Sequence, residues 1–249
     1  MIDVIYRKNY LIPIEHIWFS DDIIKGKSDI IYYHGISNFS DVTCKHNIYC
    51  RKQHTLVTDL LKEKEDLWQL IRKKIRYEIR KSENDDIICR YYDYKSINNE
   101  IITMFMRVYN QMYISKGINV KFNTSLVNAY IRCKAIMFTI GYYNNIPQVF
   151  HSYILDNTNA RFFYSASLFR EDGADQALIA RINKYLHWSD ICYFKDIGLV
   201  KYDWGGIMNP LHPSGIDNFK IGFGGTQATY YNVIVFSTMY NLLYKLFKH

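Results

Sequence analysis

Apolar residues recur at helical spacing most plainly in KEKEDLWQLIRKKIRYEIRKSEN, where Leu67, Trp68, Ile71, Ile75 and Ile79 fall three and four apart. That spacing predicts a single helix over 62–83 with one buried stripe. Arg72, Arg76 and Arg80 repeat every four residues and line a second face with Lys73. Asn84, Asp85 and Asp86 end the element. DIICRYYDY then reads as a strand, SINNEIITMFMRVYNQMYISKG as a helix entered at Ser96 and closed at Gly117, and NTSLVNAYIRC as a short helix. From residue 134 the pattern turns to β. Three antiparallel strands are predicted over 134–143, 147–155 and 161–168, turned by Asn144–Asn145 and by DNTNA. A helix over 175–197 closes at Gly198, followed by a short strand in VKYDWGG, a longer one in TYYNVIVFST, and a terminal helix.

The first sixty residues alternate short apolar runs with turns (DVIYR, DIIYYHG, NIYCRK, HTLVTDLL) and read as strands or irregular segments. Helices bunched between runs of antiparallel strands argue for an α+β fold over a doubly wound parallel sheet. No repeat, Pro/Ser-rich linker or low-complexity stretch marks a boundary. The expectation is one domain over 61–249 with an irregular N-terminal extension over 1–60 packed on it.

Composition narrows this picture only slightly. With 249 residues, 49% apolar and 22% charged, the chain can bury a sizeable core and is not disordered. A net charge of +7, spread along the chain, favours phosphates, nucleic acid or acidic glycans without choosing among them. A basic, solvated surface is the plain alternative. Five cysteines without C-x-x-C fit reduced thiols in the cytoplasm. Cys44, His46 and Cys50 lie close in CKHNIYC, but no fourth ligand stands at usable spacing, so no metal is expected. Asp3, Arg7, Lys8 and Glu15 interrupt the N-terminal apolar residues, which does not suit a secretion signal. Nor does any charge-free apolar run reach the roughly 18 residues of a membrane span. The amphipathic TMYNLLYKLFKH reads as a docked terminal helix, with contact to an anionic membrane surface as the alternative.

Several familiar sites are missing: no G-x-x-x-x-G-K-[ST], no G-x-G-x-x-G ahead of a helix, no H-E-x-x-H and no G-x-S-x-G. His34, His54, His151, His187 and His212 are scattered, and each reads as structural or surface. What remains is YDWGGIMNPLHPSGIDNFKIGFGG at 202–225, which crowds glycines around an aspartate, a lysine and aromatics. Taken with LWQLIRKKIRYEIRKSEN and DQALIARINKYLHWSDICYFKDIGLVKYDWGGI, it resembles the FemAB family of the GNAT acyltransferase superfamily. The shared order is a helix rich in Arg and Lys, then a later helix leading through a Gly into a Tyr-Asp-aromatic-Gly-Gly strand. A Gly-Ile-x-x-Phe-Lys segment and another Gly pair complete it, over about residues 62–235.

The resemblance implies a single GNAT-like domain: a curved mixed, mostly antiparallel sheet flanked by helices and splayed in the middle to admit an acyl donor. It implies transfer of an acyl or aminoacyl group to an amine. Characterised relatives build peptidoglycan cross-bridges from aminoacyl-tRNA, and shorter ones resemble enzymes that acylate amino sugars of cell-surface glycans. The implied donor is therefore acyl-CoA or another thioester, with aminoacyl-tRNA as the alternative and no permanently bound cofactor. The implied acceptor is a nucleotide- or lipid-linked amino sugar in the bacterial cytoplasm or at the inner face of the membrane. The chain departs from the family in holding one GNAT unit where cross-bridge enzymes have two, and in lacking a coiled-coil arm. Where acetyl-CoA-dependent enzymes carry R/Q-x-x-G-x-G/A for the pyrophosphate, SLFREDGADQAL stands, and only Arg170 and Gly173 echo that donor-binding loop. A GNAT-like protein that has lost catalysis and only binds an anionic partner is the reading from a different class.

Amine acylation needs a deprotonated amine, a polarised carbonyl and stabilisation of the tetrahedral oxyanion. By the family motif, Lys220 supplies positive charge for the oxyanion or a phosphate and Phe219 anchors it, among glycines that let substrate approach; a surface lysine after a buried phenylalanine is the plain alternative. Asp203 either accepts the amine proton and orients the acceptor, or caps the following turn. Tyr202, Trp204, Gly205 and Gly206 of the same motif are expected at the substrate. Arg76 and Arg80 are expected to grip a diphosphate on the acceptor through forked contacts.

Overall fold

A computed structural model describes residues 1–8, 11–37 and 47–247, which leaves Cys44 and His46 of the CKHNIYC segment outside the described residues. In chain order the strands β1 (Ile2–Lys8), β2 (Ile12–Trp18), β3 (Ile30–Ile36) and β4 (Ile48–Asp59) come first. Helices α1 (Lys64–Leu70) and α2 (Lys73–Ser82), strand β5 (Ile87–Tyr92), and helices α3 (Asn99–Ser115) and α4 (Thr124–Arg132) follow. Next are β6 (Ile136–Tyr143), β7 (Ile146–Leu155), β8 (Asn159–Ser167), α5 (Gln176–Asp196) and β9 (Lys201–Asp203). The chain ends in α6 (Gly215–Ile221), β10 (Thr226–Phe236) and α7 (Thr238–Phe247). All ten strands join one mixed sheet in the order β1-β2-β3-β10-β4-β9-β8-β7-β6-β5. The pairs β2–β3 and β8–β9 are parallel and the others antiparallel.

Among the described residues, the first sixty carry the strands β1–β4 where an irregular extension was expected. They are tied in by β10, which lies between β3 and β4 and pairs antiparallel with both. The meander β6–β7–β8 turns at Asn144 and Asn145, whose φ values of 48° and 60° are the left-handed pair of a two-residue hairpin. Side chains on both faces of β6 are buried, because helices cover the sheet on both sides. One core joins Phe105 of α3 and Tyr130 of α4 to Phe138 and Phe150 of the sheet. A second joins Leu67, Ile75 and Ile79 of α1 and α2 to Phe194 of α5, Tyr202, Trp204 and Phe223.

Two further departures from the expected elements matter for the site. The helix over 62–83 is broken: Ile71 and Arg72 are extended, with ψ of 132° and 138°. The Arg72 N–H leaves the helical ladder to donate to Gly222 O at 2.8 Å, and Gly224 packs so tightly on Leu70 that a Cβ there would fall 2.6 Å from the leucine Cβ. The apolar stripe survives the break, with Leu67, Ile71, Ile75 and Ile79 all buried. The second departure is α6, a short helix between the two expected strands, where no element was predicted. Ser214 accepts from the Asp217 N–H and Asp217 reaches back to the Ser214 N–H, a reciprocal cap that starts it. Entry to α3 is by Asn98 and not Ser96, whose hydroxyl is held by Asp93. Among the described residues no helix is long and apolar enough to cross a membrane. On α7, Met239, Leu242 and Leu246 are exposed, while Tyr244 stacks on Phe236 at 5.0 Å.

Candidate active site

The short strand β9 decides what each residue of the Tyr-Asp-Trp-Gly-Gly motif can reach. Successive strand residues point to opposite faces, so Tyr202 and Trp204 turn toward α5 while Asp203 turns away. β9 runs parallel to β8 for three pairs only, Asn159–Lys201, Ala160–Tyr202 and Arg161–Asp203. β8 continues to Ser167 without it. The pairing therefore ends at Asp203, and β9 leaves β8 past the close approach of Gly205 to Phe162, where a sheet splayed to admit a donor would part.

On one face of β9 at this point Asp203 is buried and fully engaged. Its Oδ2 lies 2.5 Å from the Arg161 guanidinium, while Oδ1 accepts from Thr55 Oγ1 at 2.6 Å and from the Gly205 N–H at 2.9 Å. Arg161 also reaches Gln53 Oε1 at 3.4 Å and lies over the rings of Trp18 and Tyr230. Of the two readings open for Asp203, this geometry matches the cap of the following turn. A cleft of about 310 Å³ borders the pair, with His34, Lys201 and Tyr230 on its walls.

Gly205 and Gly206 have φ of 76° and 116°, and both need the absent side chain. A Cβ at Gly205 would fall 2.4 Å from Phe162 O, and one at Gly206 2.4 Å from Gln53 Nε2. The two glycines line a second cleft of about 350 Å³ with His54, Ser214 and Asp217. Lys220, in the last turn of α6, sends its ammonium to Gly206 O at 2.7 Å. Burial lowers the Lys220 pKa to about 8, outweighing the attraction of Asp203 and Asp217. For Asp217 burial acts to raise the pKa, but hydrogen bonds from the Met208 and Ser214 N–H groups and from the Ser214 hydroxyl bring it below its ordinary value.

On the other face, Tyr202 and Trp204 are wholly buried. Read from sequence as substrate-binding, they serve instead as core, because alternation along β9 sends them under α5. Trp204 donates to Thr58 Oγ1 at 3.1 Å. The Tyr202 hydroxyl lies 2.8 Å from His187 Nδ1 and 2.9 Å from the Tyr153 hydroxyl, which donates to Asp190 Oδ2 at 2.6 Å. His151 Nδ1 meets the same Asp190 oxygen at 2.8 Å, and its Nε2 lies 2.9 Å from Asn183 Oδ1. His151, His187 and Asp190 are close enough to hold a metal ion, but hydrogen bonds among these groups already engage three of the ring nitrogens and one carboxylate oxygen.

The remaining expected residues are not all gathered here. Phe219 is half-buried, 5.3 Å from Phe223 between ring centroids. Arg76 is hydrogen-bonded to Gln69 and Arg80 lies over Trp68, both on the α1–α2 surface. Arg170 and Gly173 stand exposed ahead of α5, where a Cβ on Gly173 would meet nothing within 4 Å. The first turn of α5 is capped by Asp175, which accepts from the Leu178 N–H at 3.0 Å, with Glu171 and Asp172 just before it. Arg161, Thr55, Tyr153 and Asp190 were not singled out from sequence, and the chain that joins the last two to His187 and Tyr202 was not foreseen. The parity of β8 and β9 carries the signal for Arg161.

No protein-family model and no curated protein matches the chain. Its backbone is nevertheless similar to that of FemX, with a TM-score of 0.65 at 11% identity, covering 99% of this chain and 86% of that one. It is also similar to the C-terminal DUF2156 domain of a protein described as a lysylphosphatidylglycerol synthetase from Agrobacterium fabrum. There the TM-score is 0.56 at 11% identity, covering 87% and 71%. L-PGS from Bacillus licheniformis gives 0.54 at 9% identity, covering 87% and 72%. At such identities the likeness is one of fold alone: the chain carries a fold like that of FemX and of these two further structures.

Proposed function

We propose that the chain is an acyltransferase that moves an acyl or aminoacyl group from an activated donor onto an amine. The observation that carries this reading is the place where β9 leaves β8, with the partly buried Lys220 ammonium beside Gly205 and Gly206. An acceptor amine attacks the donor carbonyl there, and the Lys220 ammonium stabilises the oxyanion in surroundings where its charge acts strongly. Asp203 holds Arg161, and through Thr55 and the Gly205 N–H it holds the glycine turn that faces Lys220. Its role is thus positioning rather than proton transfer. Phe219 packs the lysine into place. Arg76 and Arg80 offer forked contacts to the diphosphate of a nucleotide- or lipid-linked amino sugar, the acceptor class of cell-surface glycan precursors.

The first donor to test is acyl-CoA or another thioester, with Arg170 and Gly173 at its phosphates. A second reading, aminoacyl-tRNA, is favoured by one observation: the amides at the start of α5 are already capped by Asp175, with two more acidic residues beside it. That is a poor cradle for a pyrophosphate.

Thermal-shift titration with CoA, acyl-CoA, UDP-amino sugars and charged tRNA separates these readings, since a ligand of the native state raises the melting temperature. A shift with thioester and UDP-sugar supports the first reading. Binding of tRNA without any response to thioesters overturns it in favour of the second. Lys220→Ala is expected to keep the fold and lower kcat by roughly 100- to 1000-fold; unchanged turnover would remove its assigned role. Arg76→Ala is expected to raise the acceptor KM and leave kcat unchanged.

A further inference from the structure

His187 stands where the sheet divides. The residues following the last β8–β9 pair are Phe162 and Trp204, and their ring centroids lie 5.0 and 4.8 Å from that of His187. Phe219, next to Lys220, lies 5.5 Å away. The titratable groups around the ring are His151 and Tyr153 of β7, Asp190 of its own helix, Tyr202 of β9 and Lys220 of α6. Burial, reinforced by His151 and Lys220, puts the His187 pKa well below its ordinary value, so the ring is neutral and carries one N–H.

Counting hydrogens along the chain decides which nitrogen carries it. The Asp190 carboxylate only accepts, so Tyr153 spends its single O–H on Asp190 Oδ2. The Tyr153–Tyr202 contact then needs the Tyr202 O–H. The Tyr202–His187 contact in turn needs the hydrogen on Nδ1. Nε2 is left as an unprotonated lone pair, with no hydrogen-bond partner among the described residues. At the far end, Asp190 Oδ1 is buried and without a hydrogen-bond partner among the described residues, so the relay ends on a carboxylate with acceptor capacity to spare.

We infer that His187 Nε2 takes the proton released by the acceptor amine, and that Tyr202, Tyr153 and Asp190 form the relay that fixes its tautomer and drains its charge. The inference rests on the acyl-transfer reading and adds the base which that reading lacks. The amine nitrogen bonds to the carbonyl carbon as the π pair moves to oxygen beside Lys220. The N–H proton passes to Nε2, the Nδ1 proton to Tyr202, the Tyr202 proton to Tyr153 and the Tyr153 proton to Asp190 Oδ2. The oxyanion pair re-forms the carbonyl and expels the leaving group, which departs with the bonding pair and takes a proton from Lys220. The relay then runs in reverse, from Asp190 through Tyr153 and Tyr202 to His187, and the Nε2 proton passes to Lys220, which restores every group. No buried imidazolium has to persist, which suits a ring that burial keeps neutral. Tyr202, Tyr153 and Asp190 are positioning residues in this scheme.

NMR of the whole protein with labelled histidine nitrogens reads the tautomer without any substrate. The expected result is Nδ1–H on His187, lost or mixed with Nε2–H in Tyr202→Phe; an Nε2–H tautomer in the wild type overturns the proposal. If Tyr202→Phe does not fold, Tyr153→Phe frees the Tyr202 O–H to donate to Nδ1 and moves the His187 proton to Nε2, which gives the same reading. With donor and acceptor in hand, His187→Gln should lower kcat by about 100-fold at unchanged KM, and full turnover overturns it. The dependence of kcat on solvent deuterium fraction should curve in the wild type, as several protons move together, and become linear in Tyr202→Phe. Failure to find acyl transfer with any donor would instead strike the reading itself, while the tautomer still tests the relay.

Discussion

Tyr202 and Asp203 are neighbours in a three-residue strand, yet they end in polar groups of opposite kind. Asp203 meets a permanent cation and two further donors, so every bond has one possible direction. Tyr202 meets a hydroxyl and an imidazole, each able to give or receive, so its bonds can reverse together. The first arrangement suits holding a turn in place and the second suits moving a proton. Buried polar networks of similar size thus differ in use according to whether their protons have alternatives.

The most severe way to break the fixed group is Asp203→Ala, which leaves the Arg161 guanidinium buried without its anion. Losing one member of a buried ion pair costs about 3–5 kcal/mol, so urea unfolding should show most of the stability gone, and Asp203→Asn should cost less. A loss below about 1 kcal/mol would mean that the pair does not hold the turn.

Lys220 lies between the two groups, and its proton links stability to pH. Its folded pKa of about 8 is below the 10.5 of an exposed lysine. The unfolded chain therefore binds more protons across that window, and stability rises with pH there. The cost of burying the ammonium is present in full below pH 8 and fades as pH approaches 10.5. Relative to Lys220→Met, which has no such proton, the wild type should gain up to about 3 kcal/mol over this window. Parallel denaturation curves of the two proteins at every pH would show that the lysine is not desolvated.

How much of this was legible depends on sequence separation. The β6–β8 meander and α5 followed from local signals, a left-handed Asn pair and a terminal Gly, and both stand. β1–β4 did not declare themselves as one sheet with the rest, because β10, the strand that joins them, lies some 170 residues beyond β4. The break at Ile71–Arg72 could not be read from periodicity, since its cause is a bond to Gly222 and the approach of Gly224. α6 was within reach, for Ser214 and Asp217 have the spacing of a reciprocal cap. Lys220 and the glycine pair were named by motif, and the structure brings them together at the Gly206 carbonyl. Placing Tyr202, Asp203 and Trp204 together at the substrate, however, set aside the alternation of strand side chains.

The relay side is milder to break. Tyr202→Phe keeps the ring in its packing and removes one hydroxyl, leaving the His187 Nδ1–H and the Tyr153 oxygen short of a partner. A cost of about 1–2 kcal/mol is expected, smaller than for Asp203→Ala because no charge is stranded.

The smallest effect tests the comparison itself. Side chains of adjacent strand residues lie on opposite faces, and no hydrogen-bond partner of Asp203 is shared with Tyr202. Mutations add nearly independently when the altered groups are well separated and share no partners, and here alternation along the strand supplies the separation of the two polar groups. The double variant Tyr202→Phe/Asp203→Asn should therefore lose the sum of the two single losses to within about 0.5 kcal/mol in urea unfolding. A coupling above about 1 kcal/mol would mean that the ion pair and the relay act as one network across the strand. Proton movement at His187 would then disturb the glycine turn facing Lys220, and the division between a fixed face and a proton-moving face would fail.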